Sequence, residues 1–529
     1  MSSTANLRSR RSAAQLHALA GVEREIRAQD SHHRRKYLRE FNQAFRSYDS
    51  LLDSGQIQSA LHSADVVLVG DYHALPAAQR HAASLIEQRA LAGDRPVVLG
   101  VETIYARDQH ILDEWWCREI DENELRQRIR FDLDWGYDWP PFFNLLVTAR
   151  DHADALYGLD CMPREDLRKI GARDRHAAAK IAETRVRHPD AVIFVLFGES
   201  HLAPGHLPRD LHQFMPGAKI ITVLQNIDAL YWRAAGERAH KVEAVRVNDD
   251  VLCVFNATPL EKYESYRLFL DQWSRCDDGP DFAPTIYNLI DSLVRFLEIN
   301  HYSPHNGTQP KFLVDMLPEI YGGPSDAMLR RLLSRKGIGE AERDAMLTRV
   351  EDRGSAYLPQ VNAFYVREFQ MIHAAEDATR FLHQACQGLP QRLNGNAVGN
   401  GDGNHNNPID DFYAGVIENA VAYFGSRVLC PSRPVPEDSS PVSRTACERL
   451  AQAAIRMDKG KCKSAAQDLG YRIGSQIYDA YLAGKVAPSG LRRLFLAHLD
   501  EPGLARKVCA TVIARLRAFS SSMSRSARP

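Results

Sequence analysis

The sequence predicts an α/β fold, a mostly parallel sheet with helices on both faces, followed by an all-helical carboxy-terminal region. Between residues 65 and about 255, short apolar runs alternate with longer segments of helical periodicity. Those runs are apolar throughout rather than alternating with polar residues, as expected of strands covered on both sides. Beyond about residue 277 the strand signals stop and helical spacing takes over.

Residues 1–61 are charged and periodic. In "HHRRKYLREFNQAFRSYDSLL", Tyr37, Phe41, Phe45 and Leu51 recur at roughly helical spacing, which predicts one or two amphipathic helices packed on the domain after them. An α/β domain is expected over 62–276. Its strands are "DVVLVG" (65–70), "PVVLGVE" (96–102), "ALYGLD" (155–160), "AVIFVLFG" (191–198) and "KIITVLQN" (219–226). Helical segments such as "PAAQRHAASLIEQRALAG" join them, and "KVEAVRVNDDVLCVFN" reads as an antiparallel hairpin turning near Asn248 and Asp249 and closing the sheet edge. Helices are then expected over 277–391 and 410–529. Between them the Gly/Asn-rich stretch 392–409 reads as a flexible linker; its "NGDGNH" lacks the ligand spacing and closing glutamate of a calcium loop.

A length of 529 residues exceeds one compact core, so two or three domains are expected. With 66 basic against 67 acidic residues there is no global field to attract nucleic acid or an anionic membrane. Nowhere do about 18 apolar residues run together, so no membrane span is expected. The amino terminus lacks the apolar core of a secretory signal and a cysteine for lipid attachment, and the nine cysteines are an odd total without a CxxC pair. Both features point to reduced thiols and a cytoplasmic protein.

The chemistry gathers where the strands end. The first ends in Asp71 and His73, the second in Glu102, the third in Asp160, and the fourth in Glu199 and His201 of "FGESH". In open parallel sheets ligands bind beyond the carboxyl ends of the strands, where loops and helix starts converge. Two Gly-x-x-His tetrapeptides, "GDYH" and "GESH", each come directly after an apolar run. Chance supplies about one such match in a chain of this composition, so placement rather than number carries the signal. Glycine there is expected to let the chain turn off the strand and a ligand approach the backbone.

Two imidazoles and a carboxylate suit zinc, iron or manganese with positions left open, which makes His73, Glu102 and His201 a candidate metal set. Asp71, Glu199 and Asp160 would orient it, and Glu102 or Glu199 could act as a general base toward a metal-bound water. Taken singly, each residue reads as a cap or a surface side chain. In "FDLDWGYDWPPFFNLL" (131–146), Trp135, Tyr137, Trp139, Phe142 and Phe143 read first as core packing, and alternatively as the wall of a flat apolar ligand with Asp134 or Asp138 at its rim. Tyr72, Tyr105, Trp115 and Trp116 could extend that wall. Arg164, Arg168 and Lys169 open a helix after Asp160, a place for a carboxylate or phosphate but more commonly a solvated face.

At these residues the sequence resembles the ChaN-like, haem-binding uptake domain of the Tiki superfamily, a group that includes TraB-type and erythromycin-esterase-like proteins. The resemblance rests on "VVLVGDYHALPAAQ" with its Gln79, "VVLGVET" with Glu102, "DWGYDW", "YGLDCMPREDLRKIG" and "FVLFGESHLAPGHLP", in that order over roughly residues 60–256. It implies two functions. ChaN-like proteins imply haem iron binding, with Tyr72, His73, Tyr105 or His201 as axial ligands, Trp135 flanking the porphyrin and Arg164 or Arg168 meeting a propionate. Tiki proteins imply a metal-dependent hydrolase of an ester or amide, using His73, Glu102 and His201. The missing signal peptide and lipidated cysteine depart from the ChaN pattern and count against surface haem capture. A third reading leaves the site vestigial and makes the helical half an interaction module with a protein partner.

Overall fold

The computed structural model describes residues 2–30, 36–161, 170–237, 242–275, 280–299, 316–323, 325–335, 337–387, 407–454, 456, 458–499 and 501–526. The chain divides into two compact units, residues 23–274 and residues 1–22 with 275–529.

The first unit is built on an eight-stranded sheet. Its strands are β1 (Ser50–Leu52), β2 (Val66–Asp71), β3 (Val97–Tyr105), β4 (Ala155–Asp160), β5 (Val192–Gly198), β6 (Ile220–Gln225), β7 (Ala244–Asn248) and β8 (Val251–Val254), in the order β1-β7-β8-β6-β2-β5-β3-β4. From β8 to β4 all pairings are parallel. Every residue of β2, β5 and β6 is buried. Alternate side chains enter separate cores: Val67 and Val69 pack with Leu99, Phe194 and Trp135 on one face, Val66 and Leu68 with Val98, Ile193 and Phe197 on the other. That two-sided burial is why the strands read as continuous apolar runs.

The mostly parallel sheet and all five expected parallel strands are present, and the 244–254 hairpin forms with β7 antiparallel to β8. Two details differ from the sequence reading. The sheet edge is closed by β1, paired antiparallel to β7, so the 1–61 segment is not purely helical. Strand β3 continues past Glu102 to Tyr105, with a register irregularity between Val101 and Tyr105 against β4.

In the second unit the helices Met371–Gln387, Pro408–Leu429, Lys459–Leu482 and Leu504–Ser526 form the main packed body. This region is largely helical but not wholly so. Strands β9 (Glu319–Gly322), β10 (Ser355–Leu358) and β11 (Ala363–Val366) make a small sheet in the order β10-β11-β9, with β10 and β11 antiparallel and β11 and β9 parallel. Four-residue strands carry too few positions to reveal a period, and Pro359 between β10 and β11 masks their hairpin. The expected linker lies mostly outside the described residues. Among those described, no helix is long and apolar enough to cross a membrane.

Candidate functional site

Strand β2 delivers the first part of the site. Asp71, its buried last residue, lies in register with Gly198 of β5. The Asp71 Oδ2 stands 2.8 Å from His73 Nδ1, and Gln79 donates from Nε2 to Oδ1 at 2.5 Å. A carboxylate accepts only, so it fixes the imidazole with its proton on Nδ1, and the neutral ring carries its lone pair on Nε2. That Nε2 lies 3.8 Å from Glu102 Oε2. The His73 ring packs 4.4 Å from Trp135 and 5.2 Å from Tyr137, centroid to centroid, and its side chain is 22% exposed.

Glu102 sits in the irregular stretch of β3, where a bulge re-aims a side chain. Its carboxylate is fully engaged: Arg173 donates from Nη2 to Oε1 at 2.5 Å and the Gly198 backbone N–H donates to Oε2 at 2.5 Å. Arg173 also grips Asp160 at the end of β4, Nε to Oδ1 at 3.0 Å and Nη2 to Oδ2 at 2.8 Å. Burial works against the Arg173 charge, but Glu102 and Asp160 more than offset it and push its pKa up. A permanent cation therefore ties two strand ends together.

After β5 a short 3₁₀ turn, Glu199–Leu202, presents the buried His201. Its Nε2 lies 3.7 Å from Glu102 Oε1, and its Nδ1 lies 2.5 Å from Asp174 Oδ1. The other Asp174 oxygen takes His206 Nδ1 at 2.9 Å. The helix Ile170–Arg187 thus supplies both the cation on Glu102 and, one residue on, the anion behind His201. Beside them Lys262, from the helix Pro259–Arg275, donates to both Glu199 oxygens at 2.8 and 3.0 Å and lies 4.6 Å over the Tyr72 ring. Burial opposes the Lys262 charge, and Glu199 pushes its pKa up.

His73, Glu102, Asp160 and His201 are therefore brought together, as a network centred on Glu102, which Arg173 links to Asp160. Among the described residues no group of three or more His, Cys, Asp or Glu side chains is disposed to hold a metal ion. The reason is local: Glu102 is spent on a guanidinium and a backbone N–H, and a divalent cation there would face Arg173. Glu199 is likewise committed to Lys262. Tyr72 packs edge-on to Tyr266 at 6.1 Å, and burial pushes its phenol well above the ordinary value. Tyr105 is buried opposite Asp160 in the strand register, with Arg107 over its ring.

Of the aromatic stretch, Trp139, Phe142 and Trp135 belong to the core, but Trp135 and the half-buried Tyr137 also wall His73. Tyr137 stacks on Phe269 at 4.2 Å, so the wall continues into the 259–275 helix. Arg164, Arg168 and Lys169 lie outside the described residues. Sequence reasoning missed Arg173, Asp174, His206 and Lys262. The first two had a signal: they lie four residues before Ala177 and Ala178, on the buried face of their helix.

Both Gly-x-x-His glycines have negative φ, so neither is needed for the turn. Gly198 is required for close approach instead: a Cβ there would lie 3.0 Å from Glu102 Oε2 and 3.2 Å from His73 Nε2.

A family model and a solved structure each match part of the chain. Residues 57–192 match the model of the family described as haem-binding uptake, Tiki superfamily, ChaN, so the resemblance read from the sequence holds over that segment. A solved structure of ChaN of Campylobacter jejuni, described as showing cofacial haem binding, is 14% identical, covers 33% of this chain and 86% of its own, and superposes with a TM-score of 0.27. No curated protein matches the chain.

Proposed function

We propose, from the match of residues 57–192 to the ChaN haem-binding uptake family, that the chain binds haem at the strand-end site with His73 as an axial ligand. The observation that carries this reading is the His73 imidazole: its Nδ1 is anchored on Asp71, its side chain is 22% exposed, and Trp135 and Tyr137 stand against it. Asp71 favours the tautomer in which Nε2 is the ligating atom and raises its basicity. His201, only 6% exposed and held by Asp174, supports Glu102 rather than meeting a ligand. Burial, with Tyr263 and the Glu199 carboxylate nearby, holds the Tyr72 phenol protonated, which favours the imidazole over a tyrosinate. Bound haem would supply iron coordination; the protein's share is the axial nitrogen and the aromatic wall. His73 Nε2, now 3.8 Å from Glu102, would be the atom that holds the iron.

Titration of the purified protein with haemin tests this. A saturable Soret shift at micromolar haem is expected, lost or moved to a different ligation spectrum in His73→Ala and largely kept in His201→Ala. A folded protein that leaves the haemin spectrum unchanged would sink the proposal. Stoichiometric zinc, manganese or iron in the protein as isolated, lost in His201→Ala, would replace it with the hydrolase-type metal site.

A further inference from the structure

Two thiols in the second unit lie against each other although 62 residues separate them in the chain. Cys447, on the helix Arg444–Ala454, and Cys509, on the helix Leu504–Ser526, are both buried, with their sulfur atoms 3.8 Å apart. The two helices are also tied at the surface beside the pair. Glu448 takes Arg444 Nε at 3.1 Å from its own helix and Arg506 Nη2 at 3.7 Å from the other.

The neighbourhood favours Cys447 as the more readily ionised sulfur. The two thiols share a hydrogen bond in which either sulfur can donate, and together with Tyr413 it pulls the Cys447 thiol below its ordinary value. By contrast Cys253 and Cys386 are pushed up to about 12 by burial. A disulfide bond is about 2.05 Å long, so closure needs the sulfurs to approach by about 1.8 Å, within the reach of side-chain rotation and a small helix shift.

We propose that Cys447 and Cys509 form a reversible redox pair that a hydroperoxide closes to a disulfide. The Cys447 sulfur attacks the peroxide oxygen, the O–O bond breaks, and the leaving oxygen departs as an alcohol, or as water from hydrogen peroxide. The resulting sulfenic acid is then attacked by the Cys509 sulfur; the S–O bond breaks and water leaves. Two thiols and one hydroperoxide thus give a disulfide, one alcohol and one water, with two electrons passing from the sulfurs to the peroxide. Access comes through opening of the terminal 504–526 helix, and the new bond clamps that helix to the 444–454 helix.

Peptide mapping of the intact chain after hydrogen peroxide treatment, with free thiols blocked by iodoacetamide in guanidinium, reads this directly. The expected product joins TACER (445–449) to VCATVIAR (508–515) with the loss of two hydrogens, and dithiothreitol reverses it. The oxidised protein should unfold a few degrees higher, because the cross-link constrains the unfolded chain. Cys447→Ser and Cys509→Ser should each abolish the link. If a serine variant fails to fold, the wild-type mapping alone decides. Full alkylation of both thiols after peroxide, or oxidation confined to the exposed Cys117, overturns the proposal.

Discussion

Gly198 is the most exacting single position in the site, because the Glu102 carboxylate and the His73 ring occupy the space its side chain would need. Gly198→Ala is expected to push Glu102 off the Gly198 N–H, destabilising the protein by roughly 1–3 kcal/mol. It should also weaken haem binding about tenfold, or ~1.4 kcal/mol. Gly70→Ala is the control: its Cβ would meet Glu199 Cβ and Leu202 Cδ1 at 3.4 Å, an ordinary contact, so the cost should be smaller. Urea unfolding and haemin titration of the two variants check the contrast, and equal effects would refute the crowding argument. At this scale the sequence showed which strand ends carry His73, Glu102, Asp160 and His201, because each comes after its own apolar run. It did not show what those groups pair with. Arg173 lies 71 residues from Glu102 and Lys262 lies 63 from Glu199, and local pattern says only that a buried charge must find a partner.

Within elements, the helix Met371–Gln387 shows how much polar chemistry a buried segment can hold. Its Glu376 is fully buried between Arg353 Nη2 at 2.6 Å, Arg380 Nη2 at 2.8 Å and Arg433 Nη2 at 2.8 Å, with Tyr471 donating at 2.7 Å. Burial pushes the Glu376 carboxyl up, but the three guanidinium groups prevail and hold it well below the ordinary value. Its stabilising effect is present above the unfolded carboxyl pKa and is lost only as pH falls through that depressed value. His383 on the same helix behaves differently: burial lowers its pKa to about 4, and neither ring nitrogen has a hydrogen-bond partner among the described residues. Between pH 6.5 and 4 the unfolded state binds this proton and the folded state does not, so stability falls as pH drops, by up to about 3 kcal/mol. His383→Leu should flatten that part of the profile. Urea midpoints at about pH 7 and about pH 4.5 measure it, and parallel losses in variant and wild type would rule the histidine out. The helix itself was legible from its periodicity. The four-residue strands β9–β11 beside it were not, since their stability comes from neighbours rather than from pattern.

For the whole molecule, the unit boundaries differ in kind from what composition suggests. The helix Ser2–Gln29 is continuous, yet residues 1–22 cluster with 275–529 and the remainder with 23–274. The pairing is specific: His17 Nε2 lies 2.9 Å from Asp291 Oδ2, and Asn288 donates to the Ala18 carbonyl at 2.8 Å. The helices of residues 1–61 are expected from the sequence to pack on the domain after them, but residues 1–22 pack instead with 275–529, a surface no local pattern names. This division has a thermodynamic consequence if each unit unfolds cooperatively. Calorimetry of the full chain should resolve two transitions, and a ligand confined to one unit moves only that unit's transition. Haem at about a hundred times its dissociation constant should stabilise the 23–274 unit by about 2.7 kcal/mol, a shift of several degrees. Closure of the Cys447–Cys509 pair should move the other transition. Deleting residues 1–22 should lower the transition of the 275–529 unit and leave both the haem-sensitive transition and the Soret titration unchanged. A single transition that haem and peroxide shift together, or loss of haem binding on the deletion, would show that the two units act as one.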